Sequence, residues 1–417
     1  MIGLPWERLA KLGDPERVTA RADEAPADAG GLADADVAAI WDATVACYRS
    51  GLYPAMALCV RRRGAVMIDR AIGFARGAAP HDAPGEPRVP ATPRTKFGLF
   101  SASKMVTAML VHWCDQQGLL RIDDPVAHYL PSFGRHGKHR MTIRHVLTHR
   151  AGIPRIPTRY ADVGLLAHPT AVLDLLAEQP PQWRPGARLA YHALTGGFVL
   201  GAIVEAVTGK DLRAVLRDHV TGPIGLTGFD FGVPPDEVEA VAENAFTGPP
   251  VWPPLSTIIR RALSVDIDEV VRISNDPRFL TAVVPAGNII STANETSRFM
   301  QLLLEGGALD GVRVFDERTL ARATVEQTFD FDLTLAVPVR YSLGFMLGAR
   351  QVSTFGRDTA RAFGHLGFTN VFAWADPARE LAVALLTSGK PVLSPRLTAL
   401  VHLIDTISSR TKAAIRS

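Results

Sequence analysis

Apolar positions along this chain follow two periods, and the change from one to the other divides it. Val37, Ile40, Trp41, Val45 and Tyr48 recur at the spacing of one helix face, which predicts a helix over 34–50 with Asp34 as its N-cap. The runs at 55–62 and 65–75 are dense in apolar residues and read as strands, with Arg63-Gly64 as the tight turn between them. From 101 to about 220 the helical period dominates. Helices are expected at 101–117, closed by Gly118, at 143–148, at 170–178, and at 196–208, closed by Gly209. Residues 221–285 are rich in proline and carry one amphipathic stretch near 255–265, and 294–305 is helical again. Strand-like runs return at 341–347, 371–375 and 381–387, followed by a closing helix over 394–408.

This order implies an α/β (α+β) fold. Strands from both chain ends would share one antiparallel sheet with flanking helices, and a mostly helical domain would be inserted between them. Residues 1–35, with the Ala-, Asp- and Gly-rich tract 21–35, read as a flexible lead-in. Residues 36–417 then form a single composite domain, its α/β part at 36–100 and about 290–417 and its helical part at about 101–289.

Composition narrows the function classes. With 47% hydrophobic and 21% charged residues in 417, the chain has a large core to bury and is not disordered. A formal net charge of +3, with basic clusters only at 61–63 and 260–261, gives no footprint for nucleic acid, and those clusters read as solvated surface. Cys47, Cys59 and Cys114 lack CxxC spacing and read as small buried hydrophobes. Residues 1–20 lack the apolar stretch of a signal peptide, and no run reaches the ~18 residues of a membrane span, so a cytoplasmic protein is expected.

Three segments carry candidate chemistry. Ser101-Ala102-Ser103-Lys104 opens an apolar helix, and residues three apart share a helix face. At a helix start the N–H groups and the dipole favour negative charge, and a desolvated lysine beside the serine can take its proton. Ser409-Arg410-Thr411-Lys412 has the same spacing without that setting and reads as chance. Tyr191, in Tyr191-His192-Ala193 after the loop 183–186, can present its phenol to a nucleophile; beside a lysine its phenolate would be an accessible base. The third segment is Phe363-Gly364-His365-Leu366-Gly367-Phe368, where glycines allow a ligand close to a strand edge and His365 can face it. His145 and His149 have the i, i+4 spacing of metal ligands, but no HExxH glutamate accompanies them, and no metal is expected. No GxSxG, GxGxxG or P-loop occurs, so neither an α/β-hydrolase elbow nor a nucleotide cofactor is expected.

Further matches lie in line with these three: Ile122-Asp123-Asp124-Pro125, Leu147-Thr148-His149-Arg150-Ala151-Gly152-Ile153-Pro154, Trp183-Arg184-Pro185-Gly186, and Gly287-Asn288-Ile289-Ile290-Ser291-Thr292-Ala293. Together they resemble the class C β-lactamase and family VIII carboxylesterase group of the SxxK penicillin-binding-protein superfamily. The resemblance implies a serine hydrolase without a cofactor, its site in a cleft between an α/β and a helical part. It implies acylation of Ser101, proton transfer by Lys104 and Tyr191, and an oxyanion held by the N–H groups of Ser101 and Phe368. It places His365, Gly367 and Ala193 at the substrate. Two departures stand out: Ala193 replaces the asparagine of the YxN element, and His365 replaces the lysine of KTG. Both turn the expectation from β-lactams toward a small-molecule ester substrate, neutral and short-chained. Acyl transfer to an alcohol, weak β-lactamase activity and a catalytically silent binding protein are the competing readings.

Overall fold

The computed structural model describes residues 7–156, 163–263 and 265–412, without the side chains of residues 261 and 262. At its centre is a ten-stranded antiparallel sheet. Its main strands, in chain order, are β1 (Thr19–Arg21), β2 (Ala55–Arg62), β3 (Ala65–Arg76), β4 (Thr328–Asp332), β5 (Val337–Tyr341), β6 (Met346–Leu347), β7 (Phe363–Gly367), β8 (Val371–Asp376) and β9 (Leu381–Thr387). Their spatial order is β1-β3-β2-β9-β8-β7-β6-β5-β4, and the two-residue strand Val89–Pro90 pairs with β3. The chain ends meet where β2 pairs with β9, Leu381 opposite Arg62 through Thr387 opposite Met56.

All eight residues of β2 are buried because helices cover both faces of the sheet. Met56, Leu58 and Val60 pack into one core with α1 (Asp34–Tyr48) and the closing helix Thr398–Arg410. Ala55, Ala57 and Cys59 face the other core, with the helix Ala293–Leu304. β8 and β9 alternate in the same way: Trp374, Val383 and Leu385 lie on the first side, Ala373, Ala375, Ala382 and Ala384 on the second. Small residues on one face let the second helix layer approach closely.

The helical part follows β3. Its centre is α2 (Ser103–Gln116) packed against a helix at Thr195–Thr208, which Pro169–Glu178 also contacts, while the amphipathic Leu255–Leu263 packs on Ile267–Ser274. A three-stranded sheet of Phe97–Gly98, Ile289–Ser291 and Asp230–Phe231 ties the entry and exit of this part together. Among the described residues, no helix is long and apolar enough to cross a membrane.

Several expectations need correction. The stretch expected to be a flexible lead-in contributes β1 to the sheet edge, and half-buried Glu24 accepts from both Nε and Nη2 of Arg70 at 2.7 Å; residues 1–6 lie outside the described residues. Arg61 and Arg62 are not solvated surface. Arg61 donates to Ser297, Gln301 and Asn294, and Arg62 to the carbonyls of Gly30, Gly31, Arg379 and Lys412. Arg260 is exposed and pairs with Asp266, while the Arg261 side chain lies outside the described residues. The run at 341–347 is two strand ends flanking a turn, since Tyr341 pairs with Met346. α1 is capped at Ala33, whose N–H is taken by Asp36, not at Asp34.

Candidate active site

The nucleophile candidate sits on a strained turn. Phe100–Ala102 forms a 3-10 turn ahead of α2, and Phe100 has a φ of 48°. A left-handed non-glycine residue costs about 1–2 kcal/mol, so neighbouring contacts must hold it. They come from Ile289, which takes the Leu99 N–H at 2.8 Å on its carbonyl and donates its own N–H to Ser103 Oγ at 2.9 Å. The middle serine of SxxK is thus a clamp, and Ser101 lies half-buried between the two clamped residues.

Lys104, the second residue of α2, is buried with Nζ 3.0 Å from Ser101 Oγ, 2.7 Å from the Ala193 carbonyl and 3.1 Å from the Ala286 carbonyl. As a neutral amine it would give its two hydrogens to the carbonyls and turn its lone pair to the Ser101 hydroxyl. Burial pushes its pKa well below the usual lysine range, which favours that form. Gly197 makes the arrangement possible, because a Cβ there would stand 2.5 Å from the Ala286 nitrogen.

Tyr191 is held on both sides by one residue. His149 accepts the Ala190 N–H on its carbonyl at 3.0 Å and the His192 N–H on Nδ1 at 3.2 Å, and Tyr191 gives its own N–H to Asp332 Oδ1 at 3.0 Å. The phenol ring lines the same cavity as Ser101, and Lys104 Nζ lies 4.8 Å from the ring centroid. Burial pushes the Tyr191 pKa up, with the Asp332 carboxylate adding to it. Desolvation penalises both charged forms, which favours a neutral amine beside a neutral phenol over an accessible phenolate.

β7 closes the site. A Cβ on Gly367 would lie 2.3 Å from the Leu99 carbonyl, so only glycine lets this strand end reach the nucleophile turn. His365 is buried, donates from Nδ1 to the Leu366 carbonyl at 2.7 Å, and has its pKa lowered by burial to about 3. Its ring is therefore neutral near pH 7. Two cavities open beside Ser101, of about 830 and 800 Å³ including their open mouths. The first is lined by Ala193, Leu194, Ile273 and Phe279, the second by Tyr191, Ile259, Met346 and His365; Ser101, Leu263 and Phe368 border both. Gly367→Ala is expected to lower kcat/KM by about 10² by displacing the turn, as misplacements near 1 Å do. Steady-state kinetics beside a thermal melt will check this; an unchanged kcat/KM would show that the contact has no effect.

Residues 34–405 match the Beta-lactamase family. The chain belongs to the beta-lactamase family. Esterase/beta-lactamase LipL of Mycobacterium tuberculosis (strain ATCC 25618 / H37Rv) is 29% identical over 370 residues, 85% of this chain and 82% of that protein. A penicillin-binding protein homologue from Caulobacter crescentus superposes with a TM-score of 0.77 at 25% identity, covering 91% of this chain and 99% of the other. A family VIII carboxylesterase gives 0.74 at 26%, covering 90% and 98%. The protein is a hydrolase of the beta-lactamase fold.

For this beta-lactamase-family site, the structure brings Ser101, Lys104, Tyr191, Ala193, His365, Gly367 and Phe368 to one place. Ser409 is exposed on the closing helix with its Oγ donating to Thr406. Four contributors escaped the sequence reading: the Ala193 and Ala286 carbonyls, Asp332, and His149 as the support of Tyr191. A backbone carbonyl leaves no trace in residue type, and Asp332 lies in a strand that alternation did not reveal. His149 alone had a signal, its place in the Leu147–Pro154 motif.

Proposed function

We propose that the protein hydrolyses neutral, short-chain carboxylic esters through an acyl-enzyme on Ser101. The observation that carries this is the contact of Ser101 Oγ with a desolvated lysine at 3.0 Å, at the junction of two apolar cavities. Lys104 takes the Ser101 proton as Oγ bonds to the ester carbonyl carbon. The N–H groups of Ser101 and Phe368 receive the oxyanion, where most of the transition-state stabilisation arises. As the carbon–alkoxy bond breaks, Tyr191 gives its proton to the departing oxygen and regains one from the Lys104 ammonium. Water then repeats the sequence on the acyl-enzyme, and Ser101 recovers its proton as the acid leaves.

The choice of ester over β-lactam rests on charge. A lysine in the third motif would meet a penicillin carboxylate with a full charge, whereas His365 is neutral with its pKa at about 3. Losing one charge-assisted hydrogen bond costs about 1.5–3 kcal/mol, or roughly 10–150-fold. Ala193 offers no side-chain amide to an acylamino group, and its carbonyl is already taken by Lys104. A neutral ester needs neither contact. Accordingly, kcat/KM for p-nitrophenyl butyrate should exceed that for nitrocefin by at least about 10² on one preparation, and His365→Lys should narrow the gap. A higher value for nitrocefin would overturn the ester reading in favour of β-lactam hydrolysis.

A further inference from the structure

Three lysines are buried among the described residues: Lys104, Lys138 and Lys390. Lys138 donates to the Ala177 and Gln179 carbonyls at the end of the helix Pro169–Glu178, a sufficient structural role. Lys390 makes one such contact, but beside the candidate site. It follows β9, is fully buried, and no ion pair reaches it among the described residues. Its Nζ donates to the Thr387 carbonyl at 2.6 Å and lies 4.5 Å from the centroid of the Phe100 ring. That ring packs on Phe368 with centroids 5.7 Å apart. Thr387 Oγ1 in turn donates to the Asn370 carbonyl at 2.9 Å, holding the turn that follows Phe368. One strand end therefore stands behind both backbone segments assigned to the oxyanion.

We propose that Lys390 is a positioning residue for acyl transfer: its ammonium, seated on the Phe100 ring, locks the left-handed turn that aims Ser101 and sets a positive charge behind the oxyanion. The inference rests on Ser101 being the nucleophile. Its warrant is that an unpaired buried cation is costly, and an apolar side chain of equal length would fill the same space without that cost. The titratable groups on the surrounding elements are engaged elsewhere. Lys96 pairs with Glu237, Lys104 meets Ser101, Glu243 lies near Arg76 and His81, and His365 donates to Leu366. Burial alone lowers the Lys390 pKa, to about 7. The cation is thus present below about pH 7 and lost above it. The unfolded chain keeps its proton to roughly 10.4, so folding carries the full penalty below about pH 7 and sheds it as pH rises toward 10.

The test is the rate of Ser101 labelling by a fluorophosphonate, measured from pH 6 to 9 for the full chain and for Lys390→Met. Their ratio cancels the titration of Lys104, which both share. The wild-type protein should label about tenfold faster at pH 6 and less than twofold faster at pH 9. Lys390→Met should melt at a higher temperature at pH 6, with the gain shrinking toward pH 10. Phe100→Leu should remove the pH-dependent difference, and it tests the same coupling should Lys390→Met fail to fold. Lys390→Arg, charged throughout, should label faster than Lys390→Met at every pH. A ratio near one at all pH values would overturn the proposal, and so would a pH-independent loss accompanied by a lower Tm, the mark of a structural lysine. Wild-type protein that never labels would instead sink the nucleophile reading, and this one with it.

Discussion

Ser101→Ala is expected to abolish ester turnover and fluorophosphonate labelling while leaving the fold intact. Loss of the nucleophile in a serine hydrolase costs on the order of 10⁴–10⁶ in kcat, because the remaining oxyanion site and binding groups still act on bound substrate. The fold should tolerate the change for a local reason. Ser101 Oγ is one of three polar partners of Lys104 Nζ, and the Ala193 and Ala286 carbonyls stay in place. One hydrogen bond contributes about 1 kcal/mol net, against a total stability of about 5–15 kcal/mol. The turn itself is held by Leu99 and Ser103 through Ile289, with no role for the Ser101 hydroxyl. Intact mass after labelling, with the modified peptide mapped, reads the outcome, and circular dichroism reads the fold. Ser409→Ala should match the wild-type protein. Undiminished labelling of Ser101→Ala would refute the assignment.

The second large effect concerns the proton carriers. Lys104→Ala and Tyr191→Phe should each lower kcat by about 10²–10⁴, the range of general acid–base contributions. The double variant should lose little more than the worse single one. Both groups serve one relay, Lys104 taking the Ser101 proton from 3.0 Å and Tyr191 passing a proton on to the departing oxygen, so removing either breaks the same transfer. If the losses multiplied instead, the two would have separate roles. The pH dependence follows from the direction of the shifts. Only the neutral amine accepts a proton, and burial lowers the Lys104 pKa well below 10.5. Activity should rise with pH along a limb whose midpoint lies below that value, and Lys104→Ala should lose the limb. Tyr191, pushed upward by burial, should add no ionisation to the neutral range.

Much of the fold was legible because burial writes itself into periodicity. β2 and β9 lie between two helix layers, so their apolar runs are nearly continuous, and the central helices carry clear stripes closed by Gly118 and Gly209. β4 was missed because Phe329 and Phe331 point outward on the sheet edge while Asp332 is buried, the reverse of the usual pattern. The lead-in was misjudged for a related reason. Its alanines, glycines and aspartates suggest a loose chain, yet Arg62 and Arg70, distant in sequence, reach back to its carbonyls and to Glu24.

For the site, the motifs taken together with the family resemblance singled out Ser101, Lys104 and Tyr191 as candidates, and the structure brings them to one place. Identity could not say in which protonation state they rest. That depends on desolvation, a property of everything packed around a group, and burial pushes the phenol toward its neutral form where the sequence suggested a base. Nor could identity reveal the Ala193 and Ala286 carbonyls that orient the Lys104 lone pair, or the placement of Lys390 against Phe100, some 290 positions away in the chain. The sequence by itself determined the covalent inventory and the periodic elements, because both are local. The tertiary structure decided the electrostatics and the aim of each group, because dielectric and direction arise only when distant segments pack together.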